Sequence, residues 1–186
     1  MIKLQPLDLL LYVNEGKSWV SAFSRWAIGR YEHVSTYVGV GFGNVPFIYQ
    51  SEGRGVILDS LYEHTGRLVM VMRPNPSITQ AQKDAVLKEA IGIVSDPNSY
   101  YDYVSIVTSC LPRVLEEKFP WIPIPLKYQR DKTYICSEAA AEPWWRTGLM
   151  ILPDTIVPLP GDFLTSPLLI QMGEGRLMEE VTLSHK

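Results

Sequence analysis

Cysteine and histidine are scarce in this chain, with two of the first and three of the second among 186 residues. No C-x-x-C or H-x-x-x-H spacing joins them, which argues against a structural zinc site. Cys110 and Cys136 could form one disulfide, less than a stapled secreted domain normally carries in a shorter chain. Basic runs are missing too, and the net charge is −3. Nucleic-acid phosphates need clustered Lys and Arg, so that partner class is disfavoured. No stretch approaches the ~20 apolar residues of a spanning helix, so no integral membrane segment is expected. The opening Met1–Asp8 has no signal-peptide pattern, because Asp8 interrupts its apolar run. No G-x-x-x-x-G-K-[ST] loop occurs, and Gly39-x-Gly41-x-Gly43 is more economically a strand end and turn. These absences lead to an expectation of no cofactor, no metal and no nucleic acid, in a cytoplasmic or virion-associated protein.

What is present is ordinary globular composition, 46% hydrophobic and 20% charged. A chain of this length can bury a sizeable core. It reads as a single domain over residues 1–186, with the Pro-rich, mixed-charge stretch 113–132 and the tail 153–186 as elaborations.

Leu9–Val13 is a short apolar run that predicts a buried strand. Trp19, Ala22, Phe23 and Trp26 then fall at helical spacing. From His33 to Phe42 the β-branched, alternating pattern predicts a strand, with Val34, Val38, Val40 and Phe42 on one face and His33, Ser35 and Tyr37 on the other. Strands Phe47–Ser51 and Val56–Leu58 follow after tight turns, making an antiparallel meander. Ser60–Glu63 has capping-box spacing for a short helix, and Leu68–Met72 is another strand. A second box, Ser77–Gln80, opens a helix whose inward positions are Val86, Leu87, Ala90, Ile91 and Val94. Ser99 can cap a further helix that carries Tyr100, Tyr103 and, beside its apolar face, Cys110. A helix from Cys136 follows, kinked or restarted at Pro143 and ended by Gly148. Leu168–Gln171 is a final strand. Strands and helices in separate runs give an α+β fold class.

Cys136 is the candidate nucleophile. It precedes Ala139-Ala140-Ala141 at a helix start, where free backbone N–H groups and the macrodipole favour a thiolate and a developing oxyanion. Cys110, mid-helix beside an apolar face, fits an inert thiol. Nucleophilic cysteine chemistry needs an imidazole base and a polar group to orient it. His33 alone among the histidines opens a strand, whereas His64 falls in a short polar helix and His185 in the tail. The orienting group belongs on the neighbouring strand, where Gln50 and Glu52 share a face; spacing does not choose between them. Tyr134 and Ser137 flank the cysteine and would lie near a substrate, with Tyr101 a candidate for lining the cleft. Asp8, Asp59, Asp102 and Asp162 are scattered and read as mostly solvated or capping residues.

Taken together, His33-Val34-Ser35-Thr36-Tyr37-Val38-Gly39 resembles the histidine strand of the NlpC-type papain-like hydrolases, and Ile48–Ser51 with Gly55-Val56 resembles that family's next strand. Here the cysteine follows the histidine, on Tyr134-Ile135-Cys136-Ser137-Glu138, an order that resembles the circularly permuted branch, the YiiX/YaeF-like amidases. Leu7-Asp8-Leu9-Leu10-Leu11 is similar to that branch's opening G-D-[LI]-[LI] strand, with Leu7 in place of glycine, and Tyr101-Asp102 matches a Tyr-Asp pair that precedes the cysteine helix. The resemblance implies a circularly permuted papain-like fold, a small antiparallel sheet packed against the nucleophile helix. It implies Cys136 as nucleophile, His33 as base and Gln50 at the third position, where the permuted branch usually has glutamate; Glu52 could substitute from the same strand face. The implied activity is amide cleavage by a cysteine peptidase or amidase through a thioester, on a cell-wall (peptidoglycan) peptide or a related small amide. The alternatives are a non-catalytic structural or binding member, such as a phage virion component in a larger assembly, and a lipid acyl hydrolase or transferase.

Overall fold

The computed structural model describes residues 1–16, 29–101 and 133–183, together with Arg113, Leu115, Lys118 and Trp121. The helices expected around Trp19–Trp26 and around Cys110 lie outside the described residues.

A six-stranded sheet, antiparallel throughout, forms the centre. Its members are β2 (Leu9–Val13), β3 (Tyr31–Val40), β4 (Pro46–Glu52), β5 (Gly55–Ser60), β6 (Leu68–Pro74) and β9 (Leu169–Arg176), in spatial order β5-β4-β3-β2-β6-β9. Among the described residues there are also two parallel pairs: β1 (Ile2–Leu4) with β10 (Val181–Leu183), and β7 (Tyr100–Tyr101) with β8 (Thr133–Tyr134). Two α-helices lie wholly among the described residues, α1 (Gln80–Val94) and α2 (Cys136–Arg146). The expected antiparallel meander is β3-β4-β5. The tail contributes more than an elaboration, since β9 pairs with β6 as a sheet edge.

β2 is apolar at every position because it is central and buried on both faces. Leu9, Leu11 and Val13 enter one core with Val34, Met72, Val86, Ala140 and Trp144, under the helices. Leu10 and Tyr12 enter a second core with Tyr37, Ile48, Leu61, Val69 and Val71 on the other face. Full burial of each large side chain contributes roughly 1.5–3 kcal/mol, so this alternation sets the register firmly. Just before β2, Leu7 adopts φ +71, the left-handed conformation glycine tolerates best. The glycine of the resembled G-D-[LI]-[LI] pattern falls at this position, and burial of the Leu7 side chain offsets the strain.

Several local expectations are corrected. A bulge between Tyr37 and Gly39 shifts the register of β3, whose last residue Val40 is exposed, and Phe42 lies beyond the strand, exposed in the 3-10 turn Phe42–Asn44. The box opening α1 is Thr79 with Gln82, two residues beyond Ser77–Gln80. Ile93 is buried and Ile91 exposed, because α1 packs along a narrower stripe than its apolar pattern suggests. Ser99 caps no helix; its Oγ donates to the Ile93 carbonyl at 2.8 Å, and Tyr100–Tyr101 is extended. α2 runs through Pro143 to Arg146, its burial among α1, β3 and β4 outweighing one lost backbone bond, and Gly148 at φ +78 follows its end as expected. Asp8 is not solvated: it is wholly buried against Arg73. Asp162 is a capping residue as expected, accepting the Leu159 N–H at 2.6 Å, and it also pairs with Arg113; Asp102 lies outside the described residues.

Candidate active site

The cysteine sits where the sheet comes apart. Pairing between β3 and β4 runs from Val40↔Pro46 to Thr36↔Tyr49 and stops there, while β4 stays with β5 as far as Glu52↔Gly55. Tyr37 donates its N–H to Asp8, on the β2 side, so alternation turns the N–H of Val34 toward β4. There it favours the thiolate of Cys136. α2 packs on the face that Val34 shares with Leu11, whereas His33 lies on the opposite face against Tyr12, ring centroids 5.3 Å apart. Across this gap the thiol and the imidazole are close enough for each to act on the charge of the other.

Local sequence prepares this helix start. Ile135, at the N-cap, has no side-chain acceptor, so the first-turn N–H groups are not consumed by a cap. Glu138 reaches back to accept the Ile135 N–H at 2.9 Å, and the Ser137 N–H favours the Cys136 thiolate. On β4, Ser51 donates its hydroxyl to the Tyr134 carbonyl at 2.7 Å, pinning the approach to the cysteine.

The electrostatics of the two groups move in opposite directions. Burial works against the Cys136 thiolate, but the His33 charge, its hydrogen bond and the Val34 and Ser137 N–H groups outweigh it and hold the thiol below its ordinary value. Burial likewise works against imidazolium at His33. The Cys136 charge and hydrogen bond, the Gln50 hydrogen bond and the Glu52 charge raise it above the ordinary value. Each group favours the charged form of the other.

Gln50 and Glu52 lie on one face of β4, as expected, but only Gln50 bonds the ring. His33 Nε2 donates to Gln50 Oε1 at 2.9 Å, and Gln50 is 1% exposed. Glu52 acts on His33 through its charge alone. Behind Gln50 stand two residues that the sequence pattern did not single out. Its amide Nε2 donates to Asp59 Oδ2 at 3.2 Å and lies 3.4 Å from His64 Nε2. The available signal was register: Asp59 lies on the Gln50 face of β5, two residues beyond Ile57, the partner of Gln50.

Two of the three flanking candidates, Ser137 and Tyr134, are placed differently from a groove lining. Ser137 is fully buried, and its hydroxyl donates to the Pro158 carbonyl at 2.6 Å. Tyr134 is buried, its hydroxyl accepting from Arg146 at 3.1 Å. Both hold α2 in place, and Ser137 meets the sulfur through its backbone. Tyr101 pairs with Tyr134 through its backbone, and its side chain is outside the described residues. A groove of about 870 Å³ lined by Leu4, Tyr37, Asn44, Tyr62, Lys83 and Leu87 contains none of the reactive groups.

No family model matches the sequence, and no curated protein matches it. Among solved structures, the chain is similar to the crystal structure of the metalloprotein YiiX from Escherichia coli O157:H7, DUF1105, with a TM-score of 0.63 and 14% identity, covering 94% of this chain and 99% of that one. The metal of that description has no matching donor set here: among the described residues, no three His, Cys, Asp or Glu side chains group to hold an ion, and His33 is spent on Cys136 and an amide. The likeness therefore carries the architecture, and this chain has a YiiX-like α+β fold with a mostly antiparallel sheet.

Proposed function

We propose that this protein is a cysteine hydrolase of circularly permuted papain-like fold that cleaves an amide bond, with Cys136 as nucleophile and His33 as base. The observation that carries the reading is the directed chain Cys136–His33–Gln50, in which thiol and imidazole hold each other toward the charged pair.

His33 takes the thiol proton, and the sulfur attacks the carbonyl carbon, forming a C–S bond and placing the electron pair on oxygen. Backbone N–H groups at the start of α2 stabilise that oxyanion. Collapse breaks the C–N bond, and imidazolium delivers its proton to the departing amine. Water, losing a proton to His33, then attacks the thioester; the C–S bond breaks, the acid leaves and the sulfur recovers its proton or its ion pair. A cell-wall peptide or a related small amide is the substrate class that the resemblance favours.

Two measurements test this. Iodoacetamide at near-neutral pH should label Cys136 well before Cys110, and mass spectrometry should detect cleavage in a panel of peptidoglycan-derived peptides that Cys136→Ser abolishes. Equal, slow labelling of both cysteines would overturn the thiolate. Turnover of short-chain esters with none of peptides would move the reading to lipid acyl chemistry. Labelling without turnover of either, with the protein found inside purified particles, would move it to a virion structural role.

A further inference from the structure

Glutamine is an ambiguous orienting group. Its amide has an acceptor end and a donor end of nearly the same shape, and the two instruct a neighbouring imidazole oppositely. With the oxygen toward His33, Nε2 carries the proton and Nδ1 is left with the lone pair a base requires. With the NH2 toward His33, Nε2 must carry the lone pair. The neutral ring's proton then moves to Nδ1, the one ring nitrogen not bonded to Gln50, where it blocks proton transfer to the ring. A carboxylate at this position would have no such ambiguity. Something must therefore choose for Gln50, and water does not, since the side chain is 1% exposed.

We propose that Asp59 is the positioning residue of this site: its carboxylate selects the orientation of the Gln50 amide and, through it, the tautomer of His33. This deepens the hydrolase reading and rests on it. A carboxylate only accepts, so the end of Gln50 that meets Asp59 Oδ2 at 3.2 Å is the NH2, and the oxygen is turned to His33 at 2.9 Å. Asp59 is itself held, because its Oδ1 accepts the Ser60 N–H at 2.8 Å. Ser60 also caps the single turn Leu61–His64, which brings His64 Nε2 to 3.4 Å from the same amide nitrogen. Both amide hydrogens thus point away from His33, one toward a carboxylate and one toward an imidazole. Burial and the His33 charge hold His64 below its ordinary value, which keeps its lone pair available for that contact. Tyr12 walls both rings, centroids 5.3 and 5.1 Å away, but its hydroxyl is engaged with Ser35 at 3.1 Å and does not compete for Gln50. Glu52 and Arg67 are the remaining charges acting on these rings.

The test uses the full-length protein and three variants, Asp59→Asn, Gln50→Glu and the double variant, with His33→Ala as control. Two readouts are followed: the iodoacetamide labelling rate of Cys136 against pH, and the protonated nitrogen of His33, at alkaline pH where the ring is neutral, by long-range 15N–1H correlation. Asp59→Asn keeps the size and an acceptor for Ser60, so the fold is retained. It should slow labelling at least ~10-fold near neutral pH and convert His33 from one tautomer to a mixture. In the Gln50→Glu background both ends of the side chain accept, and two carboxylates now face each other. There Asp59→Asn should leave labelling unchanged or speed it. An equal loss in both backgrounds would mean that Asp59 is merely structural, and an unchanged tautomer in Asp59→Asn would likewise overturn the proposal. If His33→Ala also leaves labelling unchanged, the thiolate–imidazole reading itself fails. If His33→Ala slows labelling and Asp59→Asn does not, only the positioning role fails.

Discussion

Two polar clusters are built into the same six-stranded sheet, and they use burial in opposite ways. Beside β2, the Asp8 carboxylate accepts from Arg73 Nε at 2.9 Å and Nη2 at 2.7 Å, and from the Gln5 N–H at 2.9 Å. Arg73 Nη2 also donates to the Lys3 carbonyl at 2.6 Å, so the cluster closes on itself and clamps the chain before β2 to β6. At the splay between β3 and β4 the contacts run in one direction instead, from Asp59 through Gln50 to His33 by hydrogen bonds and from His33 to Cys136 through charge. The closed cluster leaves no proton with a choice of place. The directed chain leaves one, shared between His33 and Cys136. Burying polar groups serves structure when the bonds form a ring and reactivity when they form a line.

The comparison breaks most visibly at the line. His33→Ala should lower hydrolysis roughly 10,000-fold while leaving the unfolding midpoint close to that of the parent, as measured by steady-state assay and urea titration. An equal fall in both would show that the line, too, is structural. At the ring, Arg73→Ala strands the wholly buried Asp8 carboxylate and should cost about 3 kcal/mol in urea unfolding, with Cys136 labelling little changed in the folded fraction. Smaller, and specific to the line, is a pH effect. The thiol is held below its ordinary value chiefly by His33 acting against burial, so parent labelling should persist below the pH at which a free cysteine loses it. His33→Ala removes that support and leaves the burial, so the labelling midpoint should move upward. A downward movement would reverse the assigned cause. Ser137→Ala is the smallest. It removes the bond to the Pro158 carbonyl, costing about 1–2 kcal/mol of stability, and should change turnover by no more than ~3-fold. A larger fall in turnover would return the Ser137 side chain to the substrate side.

Much of the scaffold was legible because strand patterning is local. β2, β4, β6 and the meander follow from apolar runs and glycine turns that depend on neighbouring residues only. The errors came where long-range packing overrode that pattern. Pro143 sits inside a continuous helix because nine of the eleven residues of α2 are buried. Ile91 and Ile93 exchanged places because α1 meets the core along a stripe that its own periodicity does not specify.

The site divides along the same line. Cys136, His33 and Gln50 were visible as residue types at a helix start and on adjacent strands, and their order along the chain carried the resemblance. Asp59 and His64 were not, since neither has a local signature. They matter only because β5 and the turn after it return alongside Gln50. Sequence alone determined the strand pattern, the helix start and the chemistry available at each position, because propensity, periodicity and pKa class belong to residues and their near neighbours. Only tertiary structure decided that β3 and β4 part below Thr36, that the thiol enters that gap, and that one carboxylate faces one amide. Those are contacts between distant segments, set by how the whole chain packs.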